Sequence, residues 1–156
     1  MRRAAVIAVL TLTAVTGASL AEAAIGAGVF IGSTTNARDP VGFKVPAKNR
    51  VSNFYVDGVR LKCTNGDQFD SGKGDRRLRS PAGTRFRVNS NGKFTVTVAN
   101  DDIGNGFSAH GRFHAKGTTA TGWLQVYAHF DANNNPSSKG SVHCSSGKIR
   151  FRANRK

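Results

Sequence analysis

The chain has 156 residues and a formal net charge of +14, from 23 Lys and Arg against nine Asp and Glu. This is the length of one ordinary domain with its own core, and a positive balance this strong favours anionic partners, although dispersed charge also serves solubility alone. The only Glu is Glu22, which leaves eight Asp for any acid–base work; Asp101 and Asp102 are the only adjacent pair, and neighbours on a strand point apart, which argues against two-carboxylate glycoside hydrolysis.

Residues 1–23 read as a secretory signal peptide. Arg2 and Arg3 give a basic start, Ala4 to Val15 form an apolar run, and Ala21-Glu22-Ala23 supplies an A-x-A cleavage signal. The Arg pair fits the charged start of a general-secretion signal better than twin-arginine export. The apolar run is too short for a membrane span, and no later one is longer. The mature protein is therefore expected to be secreted or held in the cell envelope, where its two cysteines oxidise. Residues 24–156 then form a single all-β domain with 21 Lys and Arg against eight Asp.

After residue 24 the recurring signal is apolar alternation at period two, broken by Gly and Asn, which is the pattern of strands and turns. Val29 to Gly32 is a first short strand. Phe43 and Val45 alternate with Lys44 and stop at Pro46. Phe54 and Val56 give way to Val59, Leu61 and Cys63, so the apolar parity flips across Asp57-Gly58; a bulge there is preferred over a tight turn, since a two-residue hairpin would leave very short arms. Phe86 and Val88 lead into the turn Asn89-Ser90-Asn91-Gly92, and Phe94, Val96 and Val98 continue beyond it as the clearest hairpin. Phe107 to Ala115 and Ala120 to Phe130 alternate apolar and polar residues, as do Ile149, Phe151 and Ala153 with Lys148, Arg150 and Arg152. Asp70 to Gly83 and Ala132 to Ser141 read as polar loops, and Ala24 to Gly28 as a loose terminus.

One wet and one apolar face per strand indicate an antiparallel meander around a single core, with about eight to ten strands. Closure as an up-and-down β-barrel is preferred, because Gly111 and Gly122 at inward positions suit strong curvature; a two-sheet β-sandwich is the alternative. Cys63 and Cys144 are the only cysteines and are expected to form a structural disulfide, since no C-x-x-C spacing suggests redox chemistry.

Ala120-Thr121-Gly122-Trp123-Leu124, followed by Cys144-Ser145-Ser146-Gly147 and Phe151-Arg152-Ala153, resembles a group of small secreted bacterial proteins. In that group an A-T-G-x-L strand precedes a C-x-S-G turn and a final aromatic strand, and an earlier cysteine supplies the partner. The resemblance covers about a third of the mature chain. It implies a secreted β fold and carries no activity with it.

Chemistry is sparse. His110 and His114 share a strand face, but four residues along a strand separate them by about 13 Å. His129 and His143 are the remaining histidines, and no metal site is expected. Asp131-Ala132-Asn133-Asn134-Asn135 begins like a calcium loop, yet Pro136 stands where Gly is needed and Val142 where Glu is needed. Asn100 to Gly106 is a second oxygen-rich loop whose simplest reading is a β-turn. No G-x-S-x-G elbow or phosphate-binding glycine loop occurs, so no catalytic residues are assigned, no cofactor is expected, and the protein is read as a non-enzyme.

The most informative outward set is Trp123, Gln125, Tyr127 and His129 on one strand, with Tyr55 as a further outward aromatic. Trp and Tyr beside hydrogen-bonding groups can stack on sugars or bases, and Arg112, Arg150 and Arg152 would supply charge. The expected function is a secreted or envelope-associated, non-catalytic binding module for an anionic polymer, with Trp123, Tyr127, Arg112, Arg150 and Arg152 as the candidate binding residues. Acidic wall polymer or polysaccharide is the favoured partner. Nucleic acid has no supporting motif, and a monomer is expected. One alternative is a β-barrel carrier of a small apolar ligand, lined by Phe43, Phe54, Phe86, Phe94, Phe113, Phe130 and Phe151. Another is a secreted hydrolase.

Overall fold

The computed structural model describes residues 25–35, 40–46, 49–71, 78–102, 104–114 and 117–156. The signal peptide expected over residues 1–23 lies outside these, as do residues 72–77 of the first polar loop. The described residues form an all-β, antiparallel structure without helices. In chain order the strands are β1 (Gly28–Thr34), β2 (Pro40–Val45), β3 (Arg50–Val56), β4 (Val59–Cys63), β5 (Gln68–Ser71) and β6 (Leu78–Arg79). There follow β7 (Arg85–Arg87), β8 (Lys93–Asn100), β9 (Asn105–Phe113), β10 (Thr119–Phe130), β11 (Val142–Ser145) and β12 (Ile149–Arg155).

The longest strand, β10, organises the rest. One of its edges pairs with β9 from Ala120 to Ala128. The other edge is divided: Thr119 to Leu124 pair with β12, and Tyr127 to Phe130 pair with β11. Beyond β12 the sheet continues through β1, β2 and β3, whereas beyond β11 it continues through β4 and β5. The strands thus diverge from a shared spine. Among the described residues β1–β2–β3 and β8–β9–β10–β11 run as meanders and β4–β5 as a hairpin; β12 inserts between β10 and β1, and β11 pairs onward with β4.

This corrects the expected up-and-down barrel. The sheet is not closed: β7 pairs with β3 while β8 pairs with β9, and among the described residues the bridge Val88–Phe94, just beyond the end of β7, is the one bridge between the two arms. The turn at 89–92 is present as expected. Asn89 Oδ1 accepts from the N–H groups of Asn91 and Lys93, and the Gly92 N–H donates to the Asn89 carbonyl. The hairpin arms separate after that one bridge.

The parity flip near residue 57 is made by a corner, not by the expected bulge. A bulge lies four residues earlier: the register moves from Gly42–Tyr55 to Lys44–Ser52, with Asn53 at φ 49°. Asp57-Gly58 is a corner at which the chain leaves the β2–β3 ladder for the β4–β11 ladder. The Asp57 N–H donates to the Pro40 carbonyl, and Gly58 turns at φ 69°, a conformation that Gly adopts without steric cost.

The core sits between these ladders and is largely phenylalanine. Phe30, Phe43, Phe54, Phe94, Phe107, Phe113 and Phe151 are buried and touch one another, with Phe30 and Phe43 stacked at 4.9 Å between centroids and Phe54 lying 5.6 Å from Phe107. Gly111 and Gly122 are directly opposite each other, and the rings of Phe94 and Phe151 lie over them. The two glycines therefore make room for aromatic rings. Phe86 and Phe130 are only partly buried at the edge of this core, unlike the other rings named for an apolar lining.

Cys63 and Cys144 form the expected disulfide, with Cα atoms 3.9 Å apart at directly opposed positions of β4 and β11. Closing a loop of about 80 residues stabilises by roughly 4 kcal/mol in the chain-entropy description.

Candidate functional site

The inward alternation of β8, β9, β10 and β12 leaves their other face to solvent. Registers across the four strands arrange that face in rows. Thr95, His110, Trp123 and Arg150 are successive partners in one row. Lys93, Arg112, Thr121 and Arg152 are successive partners in the next. The cations of both rows are exposed, and none of the four strands contains an Asp or Glu. An ion pair, Arg60–Asp70 at 3.3 Å, lies away from this face on β4 and β5.

Trp123 stands at the centre of the face. His110 stacks on it from the β9 side, at 4.2 Å between centroids and 22° between planes. Lys148, which precedes β12, places its Nζ 4.7 Å from the ring centroid. The indole is thus flanked by neighbours from both adjoining sides, in a ring stack with the His110 imidazole and a cation–π contact with the Lys148 ammonium. His110 Nδ1 is in turn hydrogen-bonded to Thr95 Oγ1 at 3.2 Å, and His114 Nε2 to Thr121 Oγ1 at 2.7 Å. A surface groove of about 710 Å³ adjoins the rows, lined among others by Arg85, Arg87, Lys93, Arg112 and Thr121.

Of the residues singled out in the sequence, Trp123, Arg112, Arg150 and Arg152 converge here. Tyr127 does not. It lies four residues along β10 from Trp123, about 13 Å away, over Gly106. Burial and the nearby Asp101 carboxylate raise its phenol above the ordinary tyrosine range. Gln125 between them donates to Ser145 Oγ at 3.1 Å. Tyr55 covers Gly42 on β2, several strands from Trp123. Lys93, His110 and Lys148 complete the face, and Arg85 and Arg87 on β7 line the groove beside it. Their signal in the sequence is the polar phase of the same alternation, but nothing local pairs them with Trp123.

The histidines meet differently from the order of their spacing. His129 and His143 are register partners on β10 and β11, with rings 4.4 Å apart. Among the described residues no group of three or more His, Cys, Asp or Glu is positioned to hold a metal ion. Asp131 acts within its own loop, where its Oδ1 accepts from the N–H groups of Asn133 and Asn135, and its Oδ2 from the Asn135 amide. These bonds, led by the Asn135 N–H, hold its carboxyl below the ordinary aspartate range. The Asp-Ala-Asn-Asn-Asn run is therefore a self-satisfied turn. Asp101 and Asp102 line a separate groove of about 680 Å³ with Leu78 and Arg79.

No known protein family matches this chain, and no curated protein or solved structure is similar to it.

Proposed function

We propose that this protein is a secreted or envelope-associated, non-catalytic module that binds an anionic polymer such as acidic cell-wall material or polysaccharide. The observation that carries this reading is the outer face of β8, β9, β10 and β12, where Lys93, Arg112, Arg150 and Arg152 gather around the His110–Trp123–Lys148 stack on four strands without a single carboxylate. Cations side by side repel one another, and a bound polyanion relieves that repulsion while releasing its own counterions. The disulfide is compatible with an oxidising compartment, and among the described residues no helix is long and apolar enough to cross a membrane. The apolar-carrier alternative draws no support from the core, whose Phe rings lie against one another.

The test is retention of the purified protein on isolated cell-wall material across a salt titration. Retention is expected at low salt, falling steeply as salt rises, and weaker at every salt concentration in Arg112→Ala and in Trp123→Ala, which frees Lys148 and His110 from their seat. No retention at low salt would overturn the reading.

A further inference from the structure

We propose, building on the reading of this face as a polyanion site, that the bound polymer is elongated and crosses the strands, running from Arg152 on β12 over Thr121 to Arg112 and Lys93, and on into the groove walled by Arg85 and Arg87. The reason is one of direction. Along β8 and β9 the fixed positive charge runs out, whereas on β12 Arg150 and Arg152 follow Lys148 at alternate outward positions. On β8, Lys93 is followed outward by Thr95 and Thr97; on β9, Arg112 is preceded by His110 and Ser108. Across the strands it continues, because Lys93, Arg112, Thr121 and Arg152 are register partners.

The row also has an entrance. β7 and β8 separate after the Val88–Phe94 bridge, and the groove beside them is lined by Arg85, Arg87, Lys93 and Arg112 together. Five cations from four strands thus border one path. Adjacent paired strands lie about 4.8 Å apart, so the path from β8 through β9 and β10 to β12 is about 14 Å long, before it enters the groove walled by Arg85 and Arg87. Lys93 and Arg112 sit one strand apart, whereas Arg112 and Arg152 are two apart with the Thr121 hydroxyl between them. The neighbouring row carries its fixed charge only at the β12 end, in Arg150 and in Lys148 over the Trp123 ring, while Thr95 and His110 continue it without a fixed cation. A linear polymer with regularly spaced anions fits this path. A compact anion reaches only one part of it.

End-labelled oligogalacturonates, from dimer to octamer, provide the probe, read by fluorescence anisotropy at low salt and again across a salt series. Affinity is expected to rise with length until the oligomer spans the path of about 14 Å and reaches into the groove, and then to level off. Arg87→Ala, Lys93→Ala, Arg112→Ala and Arg152→Ala should each weaken the hexamer several-fold and lower the slope of log affinity against log salt by about 0.7 to 0.9. Lys62→Ala and Lys139→Ala, which remove exposed cations elsewhere, should leave the hexamer's affinity within twofold of wild type. All six positions are exposed, and matched denaturation curves establish that each variant is folded. Equal losses from the distant variants, or affinity that is flat or climbs steadily with length, would overturn the transverse path while leaving salt-sensitive retention on wall material intact. Failure of every oligomer to bind, together with no retention on wall material, would remove the path and the polyanion reading alike.

Discussion

Gly111 and Gly122 face each other in the interior with aromatic rings above them. A methyl group at Gly111 collides with the Phe94 ring, which is itself held by Phe43 and Phe113 at 5.5 and 5.3 Å. Overpacking of this kind costs about 1–3 kcal/mol, so Gly111→Ala should lower the stability read from urea unfolding by that amount, with an unchanged slope. Asp131 gives a second residue-scale expectation. Its carboxyl is held below the ordinary range by its own loop, so its contribution is fully present above about pH 4 and is lost as pH falls through the lower folded value. The stability difference between wild type and Asp131→Asn should therefore be greatest at neutral pH and shrink in acid, as measured by thermal melts across a pH series. At this scale the sequence was highly readable. Alternation assigned Phe107, Ala109, Leu124, Val126, Phe151 and Ala153 inward and Arg112, Arg150 and Arg152 outward, because side-chain direction follows from position alone.

Elements were less readable, because a strand's partners are chosen by contacts distant in sequence. The turn at 89–92 carries its own chemistry in Asn89, and it forms; where the following arm goes is decided by β9 and the preceding arm by β3. The parity flip between Val56 and Val59 was visible and belongs to the corner at Gly58; the bulge at Asn53 makes a separate flip between the buried Val51 and Phe54, which the ladders reveal. The pairing of β4 with β11 rests on two register pairs, one of which is the disulfide. Cys63→Ser with Cys144→Ser should therefore cost about 4 kcal/mol of stability, and β4, β5 and β11 should lose hydrogen-exchange protection before β9, β10 and β12 do.

For the whole molecule, net charge and the strand pattern were legible, and the arrangement of charge was not. A count of cations is the same whether they are scattered or aligned. Alignment of Lys93 with Arg112 and Arg152 depends on which strands adjoin and in which register, and no local sequence feature encodes that β12 lies between β10 and β1. Tyr127 shows the converse: it shares a strand with Trp123 but lies about 13 Å along it, over Gly106, outside the rows that align the cations.

That same insertion of β12 sets the order in which the protein can be completed. β1 has β2 on one edge and β12 on the other, so one of the first strands to be synthesised keeps a bare edge until the last has been made. The Phe core inherits the delay, since Phe151 arrives with β12 and packs on Phe54. A nascent chain halted before residue 149 would hold its first strands assembled yet unsealed. The last strand made is thus the one that covers the free edge of β1 and completes the Phe core.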